Sequence, residues 1–102
     1  MPDNLKAVSG KPQSTGSGLY SSYLKTKSQH KDAILFYRIG DFYEVMGDDA
    51  KSVSKVLDLT LTGRALGESR IPICGIPYHA IDRYTAALAK AGYKVAVAEP
   101  VF

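Results

Sequence analysis

Cysteine is almost absent from this chain, with a single residue, Cys74, among 102. One cysteine excludes an internal disulfide framework and any zinc site built on thiolates, and it fits a reducing compartment. Histidine is nearly as scarce. His30 and His79 stand 49 positions apart, in no HxxxH or HExxH arrangement, so nitrogen and sulfur ligands for zinc are too few. No apolar run approaches the ~20 residues of a membrane span, and nothing resembles a signal peptide. No Gly-rich loop runs into Lys-Ser or Lys-Thr, and no GxGxxG follows a strand-like segment, which removes the common phosphate and dinucleotide cradles. A chain this short also excludes architectures such as the (β/α)₈ barrel, at roughly 250 residues. Neither a bound metal nor a cofactor is expected in this chain.

What is present has the balance of a soluble globular protein: 45% apolar, 23% charged and 10% aromatic residues. The net charge of +3 permits an anionic partner without requiring one. Residues 1–18, MPDNLKAVSGKPQSTGSG, are rich in Gly, Pro, Ser and other small polar residues, and their few apolar side chains have no period. Such a stretch buries too little surface to offset roughly 1–2 kcal/mol of backbone entropy per residue. It reads as a disordered polar tail or linker, which leaves residues 19–102 as the folded domain.

Within that domain helical and strand periods alternate. Leu19, Tyr20, Tyr23, Leu24 and Lys27 fall on one side of a helix. Ala33–Ile39 is a dense apolar strand, and after Gly40 the segment Asp41–Met46 is again extended. Asp48 and Asp49 suit a helix N-terminus, followed by a stripe of Ala50, Val53, Val56 and Leu57. Leu59–Thr62 reads as a short strand, Gly63–Arg70 as an exposed loop, and Ile71–Ile76 as a strand near a sheet edge because of Pro72. A third helix follows His79 and stops at Gly92, and Tyr93–Ala98 forms a last strand. The expected fold is α+β, a mixed sheet of about five to six strands with three helices packed against it.

Few groups offer chemistry. Cys74, inside the apolar IPICGIP segment, suits a buried inert thiol better than a nucleophile paired with His79. Asp41, Glu44 and Asp58 leave open a metal-dependent hydrolase. The segment from Ile34 to Met46 says more, because strand side chains alternate faces. Burying Phe42 would bury Glu44 as well, and an unpaired buried carboxylate is costly. The odd-numbered residues therefore suit the core, which leaves Phe42 beside Glu44 on the exposed side. The other reading keeps Phe42 in the core through a register reset at Gly40-Asp41.

The run Phe36-Tyr37-Arg38-Ile39-Gly40-Asp41-Phe42-Tyr43-Glu44 resembles the FYRxGDFYE signature of the amino-terminal domain of the MutS family of DNA mismatch-recognition proteins. The resemblance continues through Asp48-Asp49-Ala50-Lys51, Leu57–Thr62, Ile71–Ala80 and Gly92–Val97, covering nearly all of the folded part. It implies that Phe42 enters the minor groove as a wedge on a mispaired base and that Glu44 hydrogen-bonds that base. The implied partner is double-stranded DNA carrying mismatches or small loops, read without catalysis. A kink is cheapest where pairing is already weak, and stacking tolerates any base. Arg38, sharing parity with Phe42 and Glu44, is a candidate phosphate contact or else a salt-bridge partner of Glu44 or Asp41, and Arg64 and Arg70 in the expected loop are candidate phosphate contacts. Lys25, Lys27 and Lys31 read as a solvated face, and Tyr78 and His79 as turn or packing residues.

This chain departs from the family pattern at Val45-Met46-Gly47 and at Ala98-Glu99-Pro100, where the family commonly carries a Cys-Glu-Gln-like segment. Family members continue into connector, lever, clamp and ATPase regions, so ATP use and dimerisation are expected in such a parent protein. The alternative is a domain of this type reused in another protein, such as a mobile-element protein, as an interaction or DNA-binding module. The expected location is cytoplasmic, with the nucleoid.

Overall fold

A computed structural model of the chain describes residues 5–8 and 16–100. The elements in chain order are β1 (Leu5–Val8), α1 (Gly16–Lys27), β2 (Ala33–Ile39), β3 (Phe42–Met46), α2 (Asp48–Leu57), β4 (Thr62–Leu66), β5 (Ser69–Pro77), α3 (Ile81–Lys90) and β6 (Lys94–Pro100). A 3₁₀ turn, Tyr78–Ala80, leads into α3. The strands form one mixed sheet in the order β1-β6-β2-β3-β5-β4. β6 runs parallel to both β1 and β2, whereas β2, β3, β5 and β4 pair antiparallel in succession. This is the expected α+β mixed sheet, with three helices among the described residues. Among the described residues no helix is long and apolar enough to cross a membrane.

Helices cover both faces, so β2 is buried on both sides. Ile34 and Phe36 join Tyr43, Val45, Cys74 and Ile76 under Val53 of α2 and Leu88 of α3. Leu35 and Tyr37 join Met46, Ile73, Ala96 and Ala98 under Tyr23 of α1. The expectation that only the odd-numbered residues of β2 turn inward is corrected here, since α1 covers the second face. The Tyr23 hydroxyl donates to the Leu35 carbonyl at 3.3 Å, inside an apolar layer that pushes the phenol pKa far up by desolvation. Leu24, expected on the inner side of α1, points outward with 45% exposure, and Thr26 is buried instead.

Several boundaries follow from local chemistry. Gly40 and Gly47 take left-handed φ values of 60° and 78°, at the β2–β3 turn and just before α2. Asp58 closes α2 at φ 55°, and the Leu59 N–H returns to the Ser54 carbonyl at 2.9 Å. That reversal leaves Leu59–Leu61 outside any strand, so the strand expected over Leu59–Thr62 begins only at Thr62. The expected loop Gly63–Arg70 is a hairpin, with Leu66 opposite Ser69 across the Gly67-Glu68 turn. β4 therefore takes the edge position, and β5 lies one strand in. Pro72 is tolerated there because β3 ends opposite Ile73, and the Pro72 carbonyl accepts the Gly47 N–H at 2.9 Å.

The polar segment 1–18 contains a strand. Leu5–Val8 pairs in parallel with Val97–Pro100 of β6, and α1 begins at Gly16. The pairing is long-range and made by backbone groups, which composition and periodicity do not reveal. Residues 1–4 and 9–15 lie outside the described residues, as do the last two, 101 and 102.

Leu35 is fully buried between strands and under α1. Leu35→Ala is expected to cost about 2–5 kcal/mol, read as a lower urea midpoint with an unchanged slope. A cost under about 1 kcal/mol would contradict a tightly packed α1 face.

Candidate nucleic-acid interface

The turn between β2 and β3 consists of Gly40 and Asp41 alone, so Ile39 stands opposite Phe42, Arg38 opposite Tyr43 and Tyr37 opposite Glu44. Directly opposed residues share a face, so the two-residue turn exchanges odd for even between the strands. Phe42, Glu44 and Met46 lie on the α1 face with Tyr37 and Ile39, while Tyr43 and Val45 are anchored under α2 and α3. Phe42 begins β3 beyond the cover of the helices and is 50% exposed. A phenyl ring this open, on a strand whose next residue is only 4% exposed, is held by its neighbours rather than by its own burial.

Glu44 departs from the expectation of an exposed carboxylate. Its side chain is only 16% exposed, and both carboxylate oxygens accept from one terminal nitrogen of Arg64, at 3.2 and 3.3 Å. Arg64 rises from the edge strand β4, opposite Ile71 on the same face. Gly75 stands opposite Glu44 on β5 and carries no side chain, so the guanidinium reaches across β5 without obstruction. Burial pushes the Glu44 carboxyl pKa above its ordinary value, and the Arg64 charge opposes the rise without cancelling it. The carboxyl is thus poised nearer to protonation than a surface glutamate.

Arg38 lies on the face opposite Phe42 and Glu44, which corrects the parity expected for it. Counting alternate residues through the turn fails because the two-residue hairpin inverts the count. The Arg38 guanidinium sits 4.3 Å from the Tyr78 ring centroid and 5.5 Å from that of Tyr43. Its Nε donates to the Gly40 carbonyl at 2.7 Å, and a terminal nitrogen pairs with Glu99 at 3.4 Å. The Tyr43 hydroxyl also donates to Glu99. Glu99, within the segment that departs from the family pattern, thereby ties β6 to the base of the β2–β3 turn. The Tyr78 N–H donates to the Asp41 carbonyl at 2.8 Å, which fixes the other side of that turn. Tyr78, read from the sequence as a turn or packing residue, supports the turn here, whereas Glu99 was not singled out for support, because only the folded sheet brings it to Arg38.

Arg70 shares the opposite face as well, level with Ala65, and donates to the Gly63 carbonyl at 2.8 Å across the hairpin. Of the three arginines singled out in the sequence, Arg64 alone joins Phe42 and Glu44. Lys27 is occupied by Asp49 at 2.7 Å and by the Ala33 carbonyl, linking the end of α1 to α2 and β2. Asp41, Glu44 and Asp58 do not converge, and no group of three or more potential metal ligands occurs among the described residues. Cys74 is 1% exposed, and burial raises its thiol pKa.

Comparison with known proteins gives a consistent picture. The family described as MutS domain I matches residues 17–101. The chain is 52% identical over 83 residues to the DNA mismatch repair protein MutS of Halalkalibacterium halodurans, covering 81% of this chain and 10% of that protein. It is 57% identical over 79 residues to the protein of that name from Pelotomaculum thermopropionicum, covering 78% of this chain and 9% of that one. A third, from Desulfitobacterium hafniense, is 45% identical over 97 residues, or 94% of this chain and 11% of its own length. The chain therefore spans about a tenth of the length of the curated relatives it matches.

The Glu44 environment carries a pH signature. With the folded pKa raised above the ordinary 4.5, the folded state binds this proton more tightly than the unfolded chain does. Its contribution to stability is complete below the unfolded value and is lost as pH rises through the folded one. Glu44→Gln removes that loss, so the variant should gain urea resistance relative to the unsubstituted protein between pH 4 and pH 7. Parallel pH profiles for the two proteins would contradict the burial of the carboxylate.

Proposed function

The chain belongs to the MutS domain I family, and from that premise we propose that it reads mispaired or unpaired bases in duplex DNA. Phe42 acts as a minor-groove wedge that stacks on the aberrant base, and Glu44 hydrogen-bonds that base. The observation that carries this reading is the half-exposed Phe42 ring on the same face of β3 as Glu44, at the end of a sheet whose interior is otherwise closed. A wedge and a polar reader must share a face to act on one base. Here the distance between them is two positions along one strand.

The physical account of selectivity is mechanical. Inserting an aromatic ring between base steps costs a few kcal/mol of unstacking, and a mispair lowers that cost because it is already weakly stacked and flexible. Stacking returns about 1–3 kcal/mol and tolerates any base, since every base has a π-face. The wedge must also be stiff, or the ring would fold back on the protein instead of opening the duplex. Tyr43 and Val45, buried on either side of Glu44, hold β3, and the contacts of Arg38, Glu99 and Tyr78 hold the turn before it. None of these roles involves bond making or breaking by this chain. With a charge of +3 the domain releases few counterions, so most of the affinity for DNA and any use of ATP fall to the remainder of a longer protein.

Phe42→Ala in the full-length protein is the direct test. The ring is half in solvent, so folding should survive its removal. The preference for mismatched over paired duplex, measured by competition binding, should fall by about 1–3 kcal/mol. An unchanged preference would overturn the wedge.

A further inference from the structure

We propose that Arg64 is a positioning residue for Glu44, orienting its carboxylate for a base, and is not a phosphate contact. The inference rests on the mismatch-reading role given above for Glu44. Its geometry stands independently of that role. Arg64 comes from the edge strand of the β4–β5 hairpin, and a single guanidinium nitrogen spans both oxygens of a carboxylate that is only 16% exposed. The other groups on this face beside Glu44 are Tyr37 on β2, Phe42 and Met46 along β3, and Gly75 on β5. On the α1 side, Tyr20 lies against the same small pocket as Arg64, lined further by Met46, Ile71 and Ile73. Arg64 is the one described cation that pairs with Glu44, and burial pushes the Tyr37 phenol pKa up, away from ionisation.

Two consequences follow for a carboxylate that must approach a phosphate-lined groove. An unpaired Glu44 would be repelled by phosphates and would take up a proton as burial deepens, changing it from an acceptor into a donor. A fixed guanidinium offsets the repulsion and opposes the uptake of that proton. It also fixes the side chain's direction, since both oxygens are tied to one nitrogen from a rigid hairpin. Arg70 is excluded from this role by facing the opposite side, and Arg38 by the same reason together with its ties to Glu99 and Gly40. The identity of the residue at position 64 would therefore set which base atoms Glu44 can address.

The test uses Arg64→Met, Arg64→Lys and Glu44→Gln, singly and combined, in the full-length protein, with folding checked by the amide NMR spectrum. The Glu44 carboxyl titration, followed by ¹³C NMR without DNA, should move to higher pH in Arg64→Met and return most of the way in Arg64→Lys. With DNA, Arg64→Met should reduce the preference for mismatched duplex by roughly fivefold or more while leaving paired-duplex affinity unchanged. In the Glu44→Gln background the same substitution should add nothing. An equal loss of affinity for both duplexes that persists in the Glu44→Gln background, with a shallower salt dependence, would make Arg64 a phosphate contact and overturn the proposal. An unmoved Glu44 titration would overturn it as well. If Phe42→Ala and Glu44→Gln both leave discrimination intact, the mismatch reading falls, and the DNA-free titration still decides whether Arg64 governs Glu44.

Discussion

The organisation of this domain depends on a two-residue turn. Gly40, at φ 60°, lets β2 reverse into β3 with no slack, so Ile39 and Phe42 must face each other. From that one register everything at the site follows. Tyr43 and Val45 enter the core beneath α2 and α3, and Phe42 and Glu44 are left together on the other face. A single inserted residue would exchange the two sets, putting a carboxylate under α2 and α3 and a tyrosine at the position of the proposed wedge. The register is protected because both faces of β2 are buried, so a slip would have to be accommodated in two packed layers at once. It is protected further by Arg38, which grips the Gly40 carbonyl and Glu99, and by the bond from Tyr78 to Asp41.

Against that frame, Glu44 is the strained element. A carboxylate at 16% exposure on a partly covered sheet face is unfavourable by itself, and its raised pKa records this. The fold tolerates it because Arg64 stands on the neighbouring hairpin and Gly75 clears the space between them. Placing a cation at the edge strand also blunts an otherwise open row of backbone groups. The same pair thus serves the sheet and the proposed reading site. In the proposed role, the exposed ring and the restrained carboxylate would act as one compact probe, stiffened by the core beneath β3.

How far the sequence foretold this depends on the range over which the information acts. The strands at Ala33–Ile39 and Phe42–Met46, the helix opened by Asp48 and Asp49, and the stop at Gly92 were legible because period, caps and glycine act locally. The β4–β5 hairpin was not, since two glycines and two arginines in Gly63–Arg70 resemble a loop, and an edge strand needs little apolar patterning. The strand at Leu5–Val8 was hidden because its partner, β6, lies some ninety residues away and is met through the backbone. At the site, the pairing of Phe42 with Glu44 on one face was visible from alternation alone. Arg38 was placed on the wrong face because alternation was carried through the turn, and the capture of Glu44 by Arg64 required knowing that the loop is a strand. Composition and period describe single segments, whereas these two facts belong to pairs of segments.

The central claim is physical contact between the Phe42 ring and an aberrant base. The most direct measurement is ¹⁹F NMR of the full-length protein carrying 4-fluorophenylalanine at position 42, titrated with matched and mismatched duplexes of equal length. Stacking on a displaced base should shift the fluorine resonance through the base's ring current with mismatched DNA, and leave it near its free position with paired DNA. The same response to both duplexes, or none to either at saturating binding, would contradict the account.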